Sequence, residues 1–174
     1  MGARVGVVGI GHTAFGNLSD YELTDILAYA STDALIDAGI LDDRRIVDQV
    51  IVGNMAAGLF NHQSGVASAM VSKLDMEPVP AELVENGPAS GASAIKVGYM
   101  AIASGMADVV LVTAGEMMRK VTGWLGTDYV ATLLHPQAEY DMGLTLPAFG
   151  GMLARLYMER YGATERDLAL VKVR

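Results

Sequence analysis

Between residues 88 and 104 the sequence reads PASGASAIKVGYMAIAS, with Lys96 as its only charge. Ala89, Ala92, Ala94, Ile95, Val97, Met100, Ala101 and Ile102 leave almost no polar stripe, so a helix here needs cover on every side. That requirement is met in the middle of a layered α/β protein, and the small side chains let neighbours approach closely. The flanks agree with this reading. Pro78 and Pro80 break the chain before a strand at residues 82–85, and VVLVTAG from Val109 reads as a buried strand after the helix.

The preceding residues extend the alternation. Residues 5–8 form a β-branched run ending in glycines, and Ser19 with Glu22 supplies a capping box. Leu23, Ile26, Leu27, Ala30 and Ala34 then recur at helical spacing, with Gly39 placed to close the helix. Residues 48–52 (DQVIV) predict a second strand and residues 65–74 a second, shorter helix. A β, α, β, α, β, α, β order implies right-handed crossovers and a largely parallel sheet. Residues 1–115 are read as this core and residues 116–145 as a loop or insertion segment, longer than an ordinary connection. Residues 146–174 are read as a helix ended by Gly162, a last short helix opened by Thr164 and Asp167, and the start of a returning strand at VKVR.

A chain of 174 residues with this pattern can bury a real core. It has no cysteine, which excludes a disulfide framework, a thiolate-ligated metal and a thiol nucleophile. A net charge of -8 without clustered Lys and Arg argues against nucleic-acid binding and for small-molecule or protein partners. Lys96 and Asp108 interrupt the longest apolar stretches, so no membrane span is expected. The opening MGARVGVVGIG is too short and glycine-rich for a signal peptide, and a cytoplasmic location is expected.

Few side chains offer chemistry. GIGHTA, residues 9–14, formally fits the dinucleotide pattern G-x-G-x-x-G/A, but Phe15, Gly16 and Asn17 separate it from its helix, whereas pyrophosphate binding needs the helix to open at the second glycine. His12 reads as a hydrogen-bonded loop residue. His62 lies in the glycine-flanked loop GLFNHQSG, as a solvated side chain or a functional one, and neither His62 nor His135 has metal-ligand spacing. Glu116 directly follows the buried strand, where parallel α/β proteins place their sites, and serves there as a structural acceptor or as a charge in a site. Pro88 is comfortable in the first turn of a helix and brings no reactive group. Ser90 has no evident adjacent base, leaving the N–H groups of Ser90 and Gly91 as possible donors to a carbonyl at a helix N-terminus.

Five segments, RVGVVGIGHTAFG, VIVGNM, PASGASAI, SGMADVVLVTAGEMM and ARLYMERYGATERDLALV, together resemble in order the N-terminal half of a thiolase, most closely the sterol-carrier-protein and archaeal type. The resemblance implies an αβαβα layered fold of two similar halves, with a mixed, mostly parallel sheet and a buried central helix in the N-terminal half. It also implies a homodimer or hetero-oligomer acting on acyl-coenzyme A thioesters as substrates, with no covalently bound cofactor. Thiolases carry the acylated cysteine in a C-[AGS]-S-G motif. The corresponding residues here are Pro88, Ala89, Ser90 and Gly91, so the nucleophile position holds proline. The family's reactive histidines and second cysteine belong to the C-terminal half, which lies outside this sequence. Cysteine-dependent acyl transfer is therefore expected to be lost, and these residues alone to be inactive. The alternatives that stay open are a cysteine-independent retro-aldolase, of the kind paired with an OB-fold, zinc-ribbon subunit, and a non-catalytic scaffold subunit.

Overall fold

The computed structural model describes residues 4–173. They fall into two compact units, the first ending at Val121 and the second beginning at Thr122.

The first unit is built on three parallel strands, β1 (Gln49–Gly53), β2 (Ala81–Val84) and β3 (Val110–Ala114), in the order β2-β1-β3. Its helices are α1 (Leu23–Asp37), the short α2 (Ala57–Phe60), α3 (Val66–Lys73) and α4 (Ser90–Ala103). From β1 the chain steps through α3 to β2 at one edge, then crosses back through α4 to β3 at the other. Reversing direction while keeping right-handed crossovers sends the two connections over opposite faces. Strand alternation matches this arrangement. Val50, Val52 and Leu111 join Leu23, Leu27 and Leu35 of α1 and Val66 and Met70 of α3 in one core. Ile51 and its register partner Val112 point the other way, toward Gly98 of α4, where an added Cβ would lie 2.9 Å from Val112 Cγ2. The layers are thus α1 and α3, the sheet, then α4.

Several expectations need correction. Residues 5–8 form no strand: β3 pairs with β1, and the N-terminal run lies along α1 instead. There the Ile10 N–H donates to Asp37 Oδ2 at 2.9 Å. A Cβ on Gly9 would collide with the Ala34 carbonyl oxygen and one on Gly11 with that of Ala30, so the glycines permit a contact that a strand sequence would forbid. The capping box that opens α1 sits three residues later than expected. Glu22 is the N-cap, and its N–H donates to Asp25 Oδ2 at 2.9 Å, because residues 18–21 form a turn and the apolar face begins at Leu23. Helix α4 is not among these corrections: Ser90, Ala94, Gly98 and Ala101 form its buried stripe against the sheet, while Ile95 is 64% and Tyr99 54% exposed on the face expected to lack its second cover.

In the second unit, the segment expected to be a loop contains α5 (Gly123–Ala131) and a π-helical turn (Pro136–Tyr140). Helix α6 (Leu146–Tyr161) has the expected bounds: Thr145 Oγ1 accepts the Ala148 N–H at 3.3 Å, and Gly162 closes it at φ +68°. The last helix, α7 (Glu165–Val173), opens on a reciprocal Thr164–Asp167 pair, with the Thr164 N–H donating to Asp167 Oδ2 at 2.8 Å. Residues 171–173 continue this helix rather than starting a returning strand, their N–H groups following the helical path set by that cap.

Candidate active site

The carboxyl ends of β1, β2 and β3 meet where the strand order reverses, the usual location for ligands in a parallel sheet. Gly53 ends β1 against the start of α4. An added Cβ there would lie 2.8 Å from the Ser90 carbonyl oxygen and 3.1 Å from Ala114 Cβ, so a glycine allows the helix to seat over the strand end. Sequence and geometry converge here on the turn from β2 into α4.

That turn is internally satisfied. The Gly87 N–H donates to Glu85 Oε1 at 2.6 Å, with Gly87 at φ +53°. The buried Ser90 hydroxyl donates to the Gly87 carbonyl at 2.6 Å and accepts the Asn86 N–H at 2.9 Å. Asn86 Nδ2 donates to Ser93 Oγ at 2.9 Å, locking the turn to the first helical turn. Pro88 stands at the exposed crest of this brace, where its missing N–H leaves no donor unpaired.

Both polar groups of Ser90 are already partnered within the turn. Its hydroxyl is committed on both sides, and its backbone N–H already donates to the Gly87 carbonyl at 3.1 Å. Of the expected donor pair, Gly91 remains, in the first turn where a helix leaves N–H groups without intrahelical acceptors. It is partly buried, and an added Cβ would lie 3.3 Å from Ala114 Cβ.

Glu116 belongs to the same strand ends. Its Oε2 accepts the Met55 N–H at 2.9 Å and its Oε1 accepts from Asn54 Nδ2 at 3.1 Å. Asn54 Nδ2 also donates to the Gly115 carbonyl at 2.8 Å, while its Oδ1 accepts the Ala57 N–H at 2.8 Å and caps α2. One asparagine and one carboxylate therefore tie the end of β1, the start of α2 and the end of β3 together. Burial raises the Glu116 pKa above the ordinary carboxylate value, and the donors from Met55, Asn54 and Ala56 act against that rise. Both oxygens face backbone and amide donors, the environment of an anchoring carboxylate more than that of a free base.

Neither His12 nor His62 belongs to this set of hydrogen bonds. His12 is exposed, with Nδ1 at 3.2 Å from the Thr13 carbonyl. His62 is exposed at φ +52°, next to Asn61, whose Nδ2 donates to the Met117 carbonyl at 3.2 Å. His135 belongs to the second unit, where its Nδ1 accepts the Ala138 N–H at 3.1 Å and caps the π-helical turn. Sequence reading missed Asn54, Glu85 and Asn86. Their one signal is position, immediately beyond a strand end.

No group of three His, Cys, Asp or Glu among the described residues is placed to hold a metal, and no described helix is long and apolar enough to cross a membrane. Residues 5–174 match the thiolase N-terminal domain family. The chain is 37% identical to an acetyl-CoA acetyltransferase of Methanothermobacter thermautotrophicus over 97% of its own length and 43% of that protein. It is 27% identical to a 17-hydroxy-3-oxo-4-pregnene-20-carboxyl-CoA lyase of Mycobacterium tuberculosis over 99% of its length and 45% of that one. Among solved structures, an Ltp2-ChsH2(DUF35) aldolase superposes with a TM-score of 0.63 at 23% identity, covering 90% of this chain and 38% of that one, a likeness of fold. The chain spans less than half the length of these curated relatives. With the family match running across both units and the doubly wound sheet bringing the β2–α4 turn to its carboxyl edge, the chain belongs to the thiolase family, as a thiolase N-terminal domain.

Proposed function

We propose that this domain serves carbon–carbon bond formation or cleavage on acyl-coenzyme A thioesters, by a route in which the protein never carries the acyl group. The observation that carries the reading is Pro88, exposed at the crest of the turn that aligns with the acylated cysteine in the family resemblance. Acyl transfer through the enzyme needs a nucleophile that holds the acyl chain, and neither proline nor the committed Ser90 hydroxyl supplies one. A retro-aldol cleavage needs only a base and stabilisation of the thioester enolate. The Gly91 N–H, at the start of α4, is the donor in this chain suited to a developing oxyanion.

Among non-covalent routes, the aldolase reading is favoured by the lyase relative and by the aldolase whose fold the chain shares. It carries with it a second subunit of the OB-fold, zinc-ribbon kind. The test uses the protein as it occurs in the cell. An enzyme that stores the acyl group exchanges labelled coenzyme A into acetyl-coenzyme A without any second substrate. The expected result is no exchange, together with cleavage of a β-hydroxyacyl-coenzyme A. Exchange at a rate comparable with turnover would overturn the reading.

A further inference from the structure

Asn86 and Gly87 are the sequence's single Asn-Gly pair, and the fold sets them in the turn between β2 and α4. The pair carries a chemistry of its own. The glycine nitrogen can attack the asparagine side-chain carbonyl carbon and close a five-membered succinimide, because no Cβ on the second residue obstructs the approach. Closure and opening of that ring need a group to take the proton from the nitrogen, a group to give one to the departing amide, and water.

The turn supplies all of these. Glu85 Oε1 accepts the Gly87 N–H at 2.6 Å, so a carboxylate sits on the proton that must leave. Ser93 Oγ lies 2.9 Å from Asn86 Nδ2, and its hydroxyl carries a proton within reach of the departing nitrogen. Both distances fall in the range of general acid–base transfer. Asn86 is exposed, which admits water. Asn17, Asn54 and Asn61 precede Leu18, Met55 and His62, whose side chains crowd the same approach. We propose that Asn86 is a self-modification site, converting to aspartate and isoaspartate through a succinimide with Gly87, with Glu85 as proton acceptor and Ser93 as proton donor. The bond from Gly87 N to Asn86 Cγ forms and the Cγ–Nδ2 bond breaks. Nδ2 leaves as ammonia with a proton from Ser93, which the proton taken by Glu85 restores through solvent. Water then adds to either imide carbonyl, and nothing is oxidised or reduced. The proposal needs no acyl-coenzyme A and stands whatever reaction the domain serves. Its consequence falls on the candidate site. Each event places a new carboxylate beside the first turn of α4, where the helix dipole favours negative charge, and isoaspartate also lengthens by one methylene the backbone that braces Ser90.

The test follows the protein folded in mildly alkaline buffer and, in parallel, unfolded in urea. Trypsin releases residues 74–96, with Asn86 as their one asparagine, and residues 46–73, which carry Asn54 and Asn61 as references. Mass spectrometry reads conversion of amide to acid, and isoaspartyl methyltransferase reads the isoaspartate fraction. In the folded protein the 74–96 peptide should convert at least tenfold faster than the reference peptide. Glu85→Gln keeps an acceptor for the Gly87 N–H and removes the base, so it should slow conversion at least threefold in the folded protein and leave the unfolded rate unchanged. Ser93→Ala should also slow the folded reaction. No conversion in the folded protein while the unfolded chain converts, equal conversion of both peptides, a Glu85→Gln effect that is absent or survives unfolding, or conversion in Ser93→Ala as fast as in the parent or faster would each overturn the proposal.

Discussion

At the scale of single residues, the candidate site is a set of hydrogen bonds that leave little free. The Ser90 hydroxyl satisfies the Asn86 N–H and the Gly87 carbonyl from a buried position, so Ser90→Ala strands both. The expected cost is about 1–3 kcal/mol, read from urea unfolding. A nucleophilic role would instead show as lost reactivity with little loss of stability. Glu116 gives a prediction with a sign. Its folded pKa lies above 4.5, so the folded state holds the proton more tightly than the unfolded chain does. Its contribution is therefore fully present below the unfolded value and lost as pH rises through the folded one. Glu116→Gln removes that titration. The stability of the variant relative to the parent should rise across this window and then level off, as measured by unfolding at a series of pH values. A difference that stays flat, or falls, would show that the donors from Met55 and Asn54 outweigh burial.

At the scale of elements, the glycines that let layers meet are the sensitive points. Gly53→Ala places a methyl 2.8 Å from the Ser90 carbonyl oxygen, a backbone atom that gives way only if α4 shifts. The expected cost is about 1–3 kcal/mol in the melting of the first unit. By contrast, Gly123 has open space, and Gly123→Ala should stabilise α5 or leave it unchanged, by about 0–1 kcal/mol. The same elements explain what the sequence made legible. Strands β1, β2 and β3 fall within two residues of their predicted bounds because proline and glycine bracket short apolar runs. Helix α6 reads cleanly because Thr145 and Gly162 mark both ends. Helix α5 does not, since Gly123, Gly126 and Thr127 are weak helix formers and its burial is confined to Gly126 and Ala131. The N-terminal run reads as a strand by its β-branched residues, yet its glycines serve contact with α1, a tertiary fact without a local signature. In the site, Pro88, Ser90, Gly91 and Glu116 stood out by sequence. The bonds that commit Ser90, and the parts played by Asn54 and Asn86, depend on which strand ends become neighbours.

At the scale of the molecule, a thiolase N-terminal domain presents one face of α4 uncovered. Ile95, Tyr99 and Met100 are 64%, 54% and 48% exposed on a helix whose opposite stripe is buried. Burying a large apolar side chain contributes about 1.5–3 kcal/mol, so three together supply a strong drive to associate. Expressed as a separate polypeptide, the chain should sediment as an associated species at micromolar concentration. Ile95→Asp with Tyr99→Ser should move it toward monomer; a parent that is monomeric with a cooperative melt would show that this face tolerates water. The central claim, an acyl-coenzyme A domain that carries no acyl group, is reached most directly by incubating the protein with acetyl-coenzyme A and mapping its peptides by mass spectrometry. The account predicts that the peptide spanning residues 84–95 stays unacetylated at every incubation time. A stable acetyl group on that peptide, at Ser90 above all, would contradict it.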